Sequence, residues 1–236
     1  MSRPAPELVR SRRLSPQVLT AATCAVLFTV LAVIVAGRNG APFGFDHSAN
    51  LWAADHRPHA AVTVARAVTA TGTGVFPYVC AVVAGVIAAG RDLRRRLWAV
   101  LVALVVLGLG QAVRYSLMHA IGRPRPPVAD WATYASGFAF PSGHTTTSAL
   151  AAGLLIWAVV RAVRPSATRN AVVVVLVCWA FAVGLSRIYL GVHWVTDVLG
   201  GWLFATGWVC LCAAVVPRVP ALRHRHDSTG RRDDRE

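Results

Sequence analysis

Apolar residues fall into long, nearly unbroken blocks, and polar residues gather in the gaps between them. A helix that crosses a bilayer needs about 20 mostly apolar residues. Six blocks approach that length: roughly Val18–Gly37, Val75–Ala89, Leu97–Ile121, Ser148–Val163, Ala171–Tyr189 and Val195–Val216. The Ser, Thr and Gly within them suit helices that pack on one another. The second block is short, and Thr63–Ala70 either extends it or forms an interfacial helix ahead of it. The pattern predicts an all-α integral membrane protein, a bundle of about six transmembrane helices forming one domain over residues 17–216. A basic segment (1–16) precedes it, and a polar tail (217–236) without apolar periodicity is expected to be disordered.

Composition supports this reading. Of the 236 residues 56% are hydrophobic, with a mean hydropathy of +0.53, above what soluble domains carry. All 24 Lys+Arg residues are arginine, against 10 acidic ones. In a soluble chain that balance would point to nucleic acid; here the arginines lie in short runs between apolar blocks and report topology instead. Seventeen of them fall at the N-terminus, around Arg91–Arg96, around Arg161–Arg169 and from Arg218 onward. Positive-inside bias puts those segments and both termini in the cytoplasm of a multi-pass cell-membrane protein. Segments Arg38–Pro58, Arg123–Pro141 and Arg187–His193 then lie on the outer face. The five cysteines (Cys24, Cys80, Cys178, Cys210, Cys212) all sit in apolar blocks and read as small core residues, not as a disulfide framework. His224 and His226 lie in the tail, where a solvated segment beside anionic headgroups is the simpler reading than a metal site.

Three polar clusters share the outer face. The first, Gly122-Arg123-Pro124-Arg125-Pro126-Pro127, ends the third block. Proline stops the helix and stiffens the segment after it, and arginine suits phosphate because its planar fork donates two parallel hydrogen bonds. Headgroup anchoring is the plainer alternative. The second, Pro141-Ser142-Gly143-His144, opens the fourth block. Free backbone N–H groups at such a helix start bind anions, and His144 can move a proton at neutral pH. Ordinary capping by Ser142 is the alternative. In the third, Ser186-Arg187 is followed by His193 and Asp197. At i and i+4, His193 and Asp197 share a helix face, and the carboxylate would fix one ring nitrogen while freeing the other to attack. Gly191 offers a break that brings Arg187 and His193 together. A structural His–Asp pair is the alternative, but a carboxylate at the head of a membrane helix is costly enough to favour function.

Phosphoryl transfer fits these groups, since it needs positioning and charge neutralisation above all. Two-metal hydrolysis needs several clustered carboxylates, and this face offers only Asp46, Asp55, Asp130 and Asp197. A route through histidine, without metal or other cofactor, is therefore expected.

At these residues the sequence resembles the type 2 phosphatidic acid phosphatase family, which includes lipid phosphate phosphatases and undecaprenyl pyrophosphate phosphatases. Two parts of its signature are complete, as Pro141–His144 and as Ser186, Arg187, His193 and Asp197. The first is partial: Arg125-Pro126 fits, but Met118 stands where the family has lysine. The resemblance implies a phosphatase acting on phosphatidate-like lipids or isoprenoid diphosphates, with membrane lipids as its surroundings. It implies that His193, oriented by Asp197, becomes a phosphohistidine and that His144 is the acid and base. Arg125, Arg187, Ser142 and Gly143 would hold the phosphate, with Arg123 nearby. A thioether cannot replace an ammonium at a phosphate. Arg114, one turn earlier on the same face, or Arg123 would have to substitute; the alternative is a weakened enzyme that mainly binds lipid phosphate.

Overall fold

The computed structural model describes residues 15–215, so the basic segment before Ser15 and the polar tail lie outside the described residues. Eight α-helices and one short 3-10 turn make up the described chain: α1 (Pro16–Gly37), α2 (Gly44–Asp55), α3 (His59–Ala70), α4 (Phe76–Ala89), α5 (Leu93–Ile121), the turn Val128–Asp130, α6 (Gly143–Ala162), α7 (Ala167–Tyr189) and α8 (Val195–Val215).

Local chemistry sets the ends. Ser15 caps α1 with Pro16 as its first residue, and the Asp92 and Ser166 side chains accept from Arg95 N and Arg169 N to start α5 and α7. Gly122 ends α5 in the left-handed conformation, which a residue without Cβ adopts freely. Five helices (α1, α5, α6, α7 and α8) are long and apolar enough to cross a membrane. The sixth expected block is α4, whose 14 residues rise only about 21 Å, short of a bilayer's apolar thickness. Thr63–Ala70 does not extend it. That stretch belongs to α3, which packs on α7 and is separated from α4 by a turn through Gly74.

α6 lies at the centre, against α4, α5, α7 and α8, while α1 packs along α8. In its apolar window 61% of positions are buried within the protein, against 17–28% in the other long helices, whose apolar surfaces are left for lipid. Ala81, Ala84, Ala103, Leu107, Leu150, Leu154 and Ala158 form the core where α4, α5 and α6 meet. α4 and α5 approach so closely that a Cβ on Gly85 would lie 2.5 Å from Val100 Cα.

One end of the bundle is elaborated. α2, within the Arg38–Pro58 segment outside the expected apolar blocks, starts where Asp46 accepts from Phe43 N at 3.2 Å. With α3 it braces the long α5–α6 connection: Asn50 donates to Asp130, Arg57 to the Asp130 carbonyl and Arg66 to the Ala132 carbonyl. The α4–α5 and α6–α7 turns, with Arg91, Arg94–Arg96 and Arg164, form the opposite end.

Candidate active site

All three polar clusters meet at the elaborated end. Ser142 N donates to the Asp197 carbonyl at 3.1 Å, tying the start of α6 to that of α8, and Ala139 N donates to the Arg123 carbonyl at 2.8 Å. α7 stops at Tyr189 and α8 begins at Val195, with Gly191 at φ +71° between them. This break turns Arg187 and His193 to the same side, as their spacing required.

His193 precedes α8 instead of lying on it, yet its Nδ1 is 3.3 Å from Asp197 Oδ2. The same oxygen accepts from Trp194 N at 2.8 Å, which fixes the carboxylate relative to the helix start. Nδ1–H then donates to the carboxylate and Nε2 keeps its lone pair. Arg125 Nη1 donates to that nitrogen at 2.9 Å. His193 is almost completely buried, and burial is the main cause that holds its imidazole well below the ordinary histidine range. Arg125, Arg187 and His144 push in the same direction, and the Ala139 backbone opposes them. A neutral, oriented imidazole facing arginines is the state a nitrogen nucleophile requires.

His144 is the second residue of α6 and half-buried, and the charges of Arg187, Arg125 and Arg114 all act on its ring. Ser142 makes no side-chain cap; its Oγ accepts from Thr145 Oγ1 at 3.0 Å, so the capping alternative is not what forms, and the first amides of α6 are not claimed by that side chain. Arg187 is buried, donates from Nη1 to Thr69 Oγ1 at 3.1 Å, and has an unpartnered Nε. Arg125 is more heavily engaged. Besides His193 it donates to the carbonyls of Val192, Ser136, Gly137 and Phe138, so it holds the loop ahead of α6 over the site.

Arg123 is placed differently from the expectation. Its guanidinium is fully buried, with Nη2 2.9 Å from Asp46, Nη1 2.6 Å from Asp197 and 2.5 Å from Thr196 Oγ1, and Nε 3.1 Å from the Gly40 carbonyl. Fully buried and with its charge already paired to two carboxylates, it positions Asp197 in place of the phosphate contact expected of it. Asp46 completes the arrangement, accepting also from Thr196 N and Oγ1 at 2.9 and 2.8 Å. Asp46, Thr196 and Thr69 were not singled out as site residues. For Asp46 the available signal was a carboxylate among apolar segments, which has to find a partner.

Comparison with known proteins agrees with this geometry. The PAP2 superfamily model matches residues 97–220. The chain is 36% identical over 119 residues to phosphatidylglycerophosphatase B of Bacillus subtilis (strain 168), a match covering 50% of this chain and 58% of that protein. It is 35% identical over 88 residues to phosphatidylglycerophosphatase B of Escherichia coli (strain K12), covering 36% of this chain and 31% of that protein. The matches thus span 58% and 31% of these relatives' lengths. In fold it is similar to the crystal structure of a transmembrane PAP2 type phosphatidylglycerolphosphate phosphatase from Bacillus subtilis, with a TM-score of 0.72, 27% identity, and coverage of 86% of this chain and 99% of the other.

Proposed function

This chain belongs to the PAP2 superfamily, and on that premise we propose that it is a multi-pass membrane phosphatase that hydrolyses a lipid phosphate through a phosphohistidine at His193, without metal or other cofactor. The observation that carries the proposal is the chain Asp197–His193–Arg125, in which a buried carboxylate orients an imidazole whose other nitrogen faces a guanidinium.

The phosphate enters at the Arg125 Nη1–His193 Nε2 contact and meets Arg187, Ser142 and the amides near Gly143. Nε2 attacks phosphorus while the bond to the leaving oxygen breaks, and His144, protonated once the phosphate anion offsets the arginine charges around its ring, gives that oxygen its proton. His144 then takes a proton from water as the water attacks the phosphohistidine, the P–N bond breaks, and neutral His193 is restored. Asp197 stabilises the cationic ring formed in the first step. Arg125, Arg187 and the helix start neutralise charge on the equatorial oxygens.

The relatives' names favour a phosphatidylglycerophosphate-like monoester over an isoprenoid diphosphate. An open apolar groove of about 580 Å³ between α3 and α7, lined by Val64, Val68, Leu185 and Tyr189, suits lipid tails. By arginine placement the site faces outward and both termini face the cytoplasm.

The test is phosphate release by purified protein from vesicles carrying phosphatidylglycerophosphate, phosphatidate or an isoprenoid diphosphate, with chelator present. The expected result is turnover that survives chelation and falls about 10⁴-fold or more in His193→Ala. With an aryl phosphate, whose leaving group needs little protonation, His144→Ala is expected to accumulate phosphoprotein. Chelator-sensitive turnover, or turnover independent of His193, contradicts the proposal.

A further inference from the structure

Among the described residues, Arg114 is a cation without a counter-ion. It lies on α5 two turns before Ile121, and its one hydrogen bond there runs from Nη1 to Met118 Sδ at 3.2 Å, a weak acceptor. Its Nε is buried and has no partner. Its other close neighbour is the Tyr115 ring, 5.7 Å from the guanidinium carbon. No described carboxylate pairs with it, whereas Arg123 nearby has two. A guanidinium drawn away from water in this way needs an anion.

Its position says where that anion would lie. The guanidinium lies against the first residue of α6: a Cβ on Gly143 would come within 3.4 Å of Arg114 Nη1 and 3.5 Å of its central carbon. Those are ordinary van der Waals distances, so the guanidinium packs directly against the start of α6. Arg114 also bears on its neighbours. Burial is the main cause lowering the Arg125 guanidinium from its ordinary value; Asp197 opposes this and Arg114 adds to it. Arg114, Arg125 and Arg187 thus surround His144 and the free start of α6, and none of the three forms an ion pair with a described carboxylate.

We propose that Arg114 is a phosphate-binding residue of this site, reaching the phosphate oxygens from α5 past Gly143, with Met118 as the positioning residue that steadies its guanidinium. A lysine at 118 would sit four residues from Arg114 and repel it. Methionine at 118 and arginine at 114 are thus one arrangement, in which the cation has moved one helical turn. The inference rests on the phosphatase reading for its site, but its test reads oxyanion binding directly and does not depend on turnover.

The probe is orthovanadate, a tetrahedral phosphate mimic, titrated calorimetrically into the detergent-purified full chain. Arg114→Gln is expected to weaken its binding by about 10- to 100-fold, the range of a charged hydrogen bond, with thermal unfolding of the anion-free protein no lower than the parent's. Arg114→Lys is expected to retain most of the affinity. Met118→Lys is expected to give no tighter binding in the parent but to recover most of the loss in an Arg114→Gln background, a result that a purely structural or headgroup-anchoring role would not produce. Unchanged vanadate affinity in Arg114→Gln overturns the proposal, as does a loss that neither lysine variant recovers. If vanadate binding follows Arg114 in a protein that releases no phosphate, the phosphatase reading fails while this one stands.

Discussion

Asp197 is the residue on which most of the site turns. One oxygen accepts from His193 and Trp194, and the other pairs with Arg123, whose far side pairs with Asp46. Removing one partner of a buried ion pair leaves the other charge uncompensated, at a cost of about 3–5 kcal/mol. Arg123→Met is therefore expected to lower unfolding stability by at least about 3 kcal/mol, read by denaturation in detergent. Arg123→Lys should not restore it, because an ammonium cannot span two carboxylates, a hydroxyl and a carbonyl in one plane. His193 gives a pH prediction. A histidine held below its ordinary value stays neutral as pH falls through about 6.5, so nucleophile protonation should not limit kcat/KM there. Arg125→Met removes one of the charges holding it down. The acid limb of the residual kcat/KM profile should therefore move to higher pH than the parent's, the substrate's own ionisation being common to both. An unmoved limb would show that Arg125 does not act on the nucleophile. The His193–Asp197 pair was legible in the sequence because the residues are four apart. Asp46 and its partners were not: the bonds to Arg123 and Thr196 span 77 and 150 positions, and no local pattern encodes them.

Among the elements, the long apolar helices were legible because lipid imposes their composition. The errors fell on short elements. α2 has 12 residues and carries Asp46, His47, Asn50 and Asp55, too polar to stand out as an apolar block, whereas α3 takes in the Thr63–Ala70 stretch expected either to extend the second block or to form a helix ahead of it. They form because the end of the bundle gives them a surface to pack on, and α3 then supplies Thr69 to Arg187. Helix contacts likewise depend on single small residues. Gly85→Ala sets a methyl against Val100 backbone, where neither side can yield by changing rotamer. It is expected to destabilise by about 1–3 kcal/mol, the usual cost of overpacking, seen as a lower Tm. At Gly191 a side chain would face both the positive φ and the Asp130 carbonyl. Gly191→Ala should therefore reduce activity more than its stability loss explains, because it displaces His193 from Arg187.

For the whole molecule, the arginine placement and the path of the helices assign the same two ends, α4 running between them as the five long helices do: the site at one, the turns with Arg91–Arg96 and Arg164 at the other. In a cysteine-free background, a cysteine at the exposed Tyr134 should react with a membrane-impermeant maleimide in intact cells, and one at Arg94 only after permeabilisation. The reverse labelling would invert the proposed topology. The central claim is that segments distant in sequence enclose one phosphorus-sized site. An experimental structure of the full chain with orthovanadate bound tests it most directly. The account predicts vanadium joined to His193 Nε2, its oxygens reached by Arg125, Arg187 and the first amides of α6, with His144 on the side opposite the new bond. Vanadate bound elsewhere, or at His193 with His144 and the start of α6 out of reach, would contradict it.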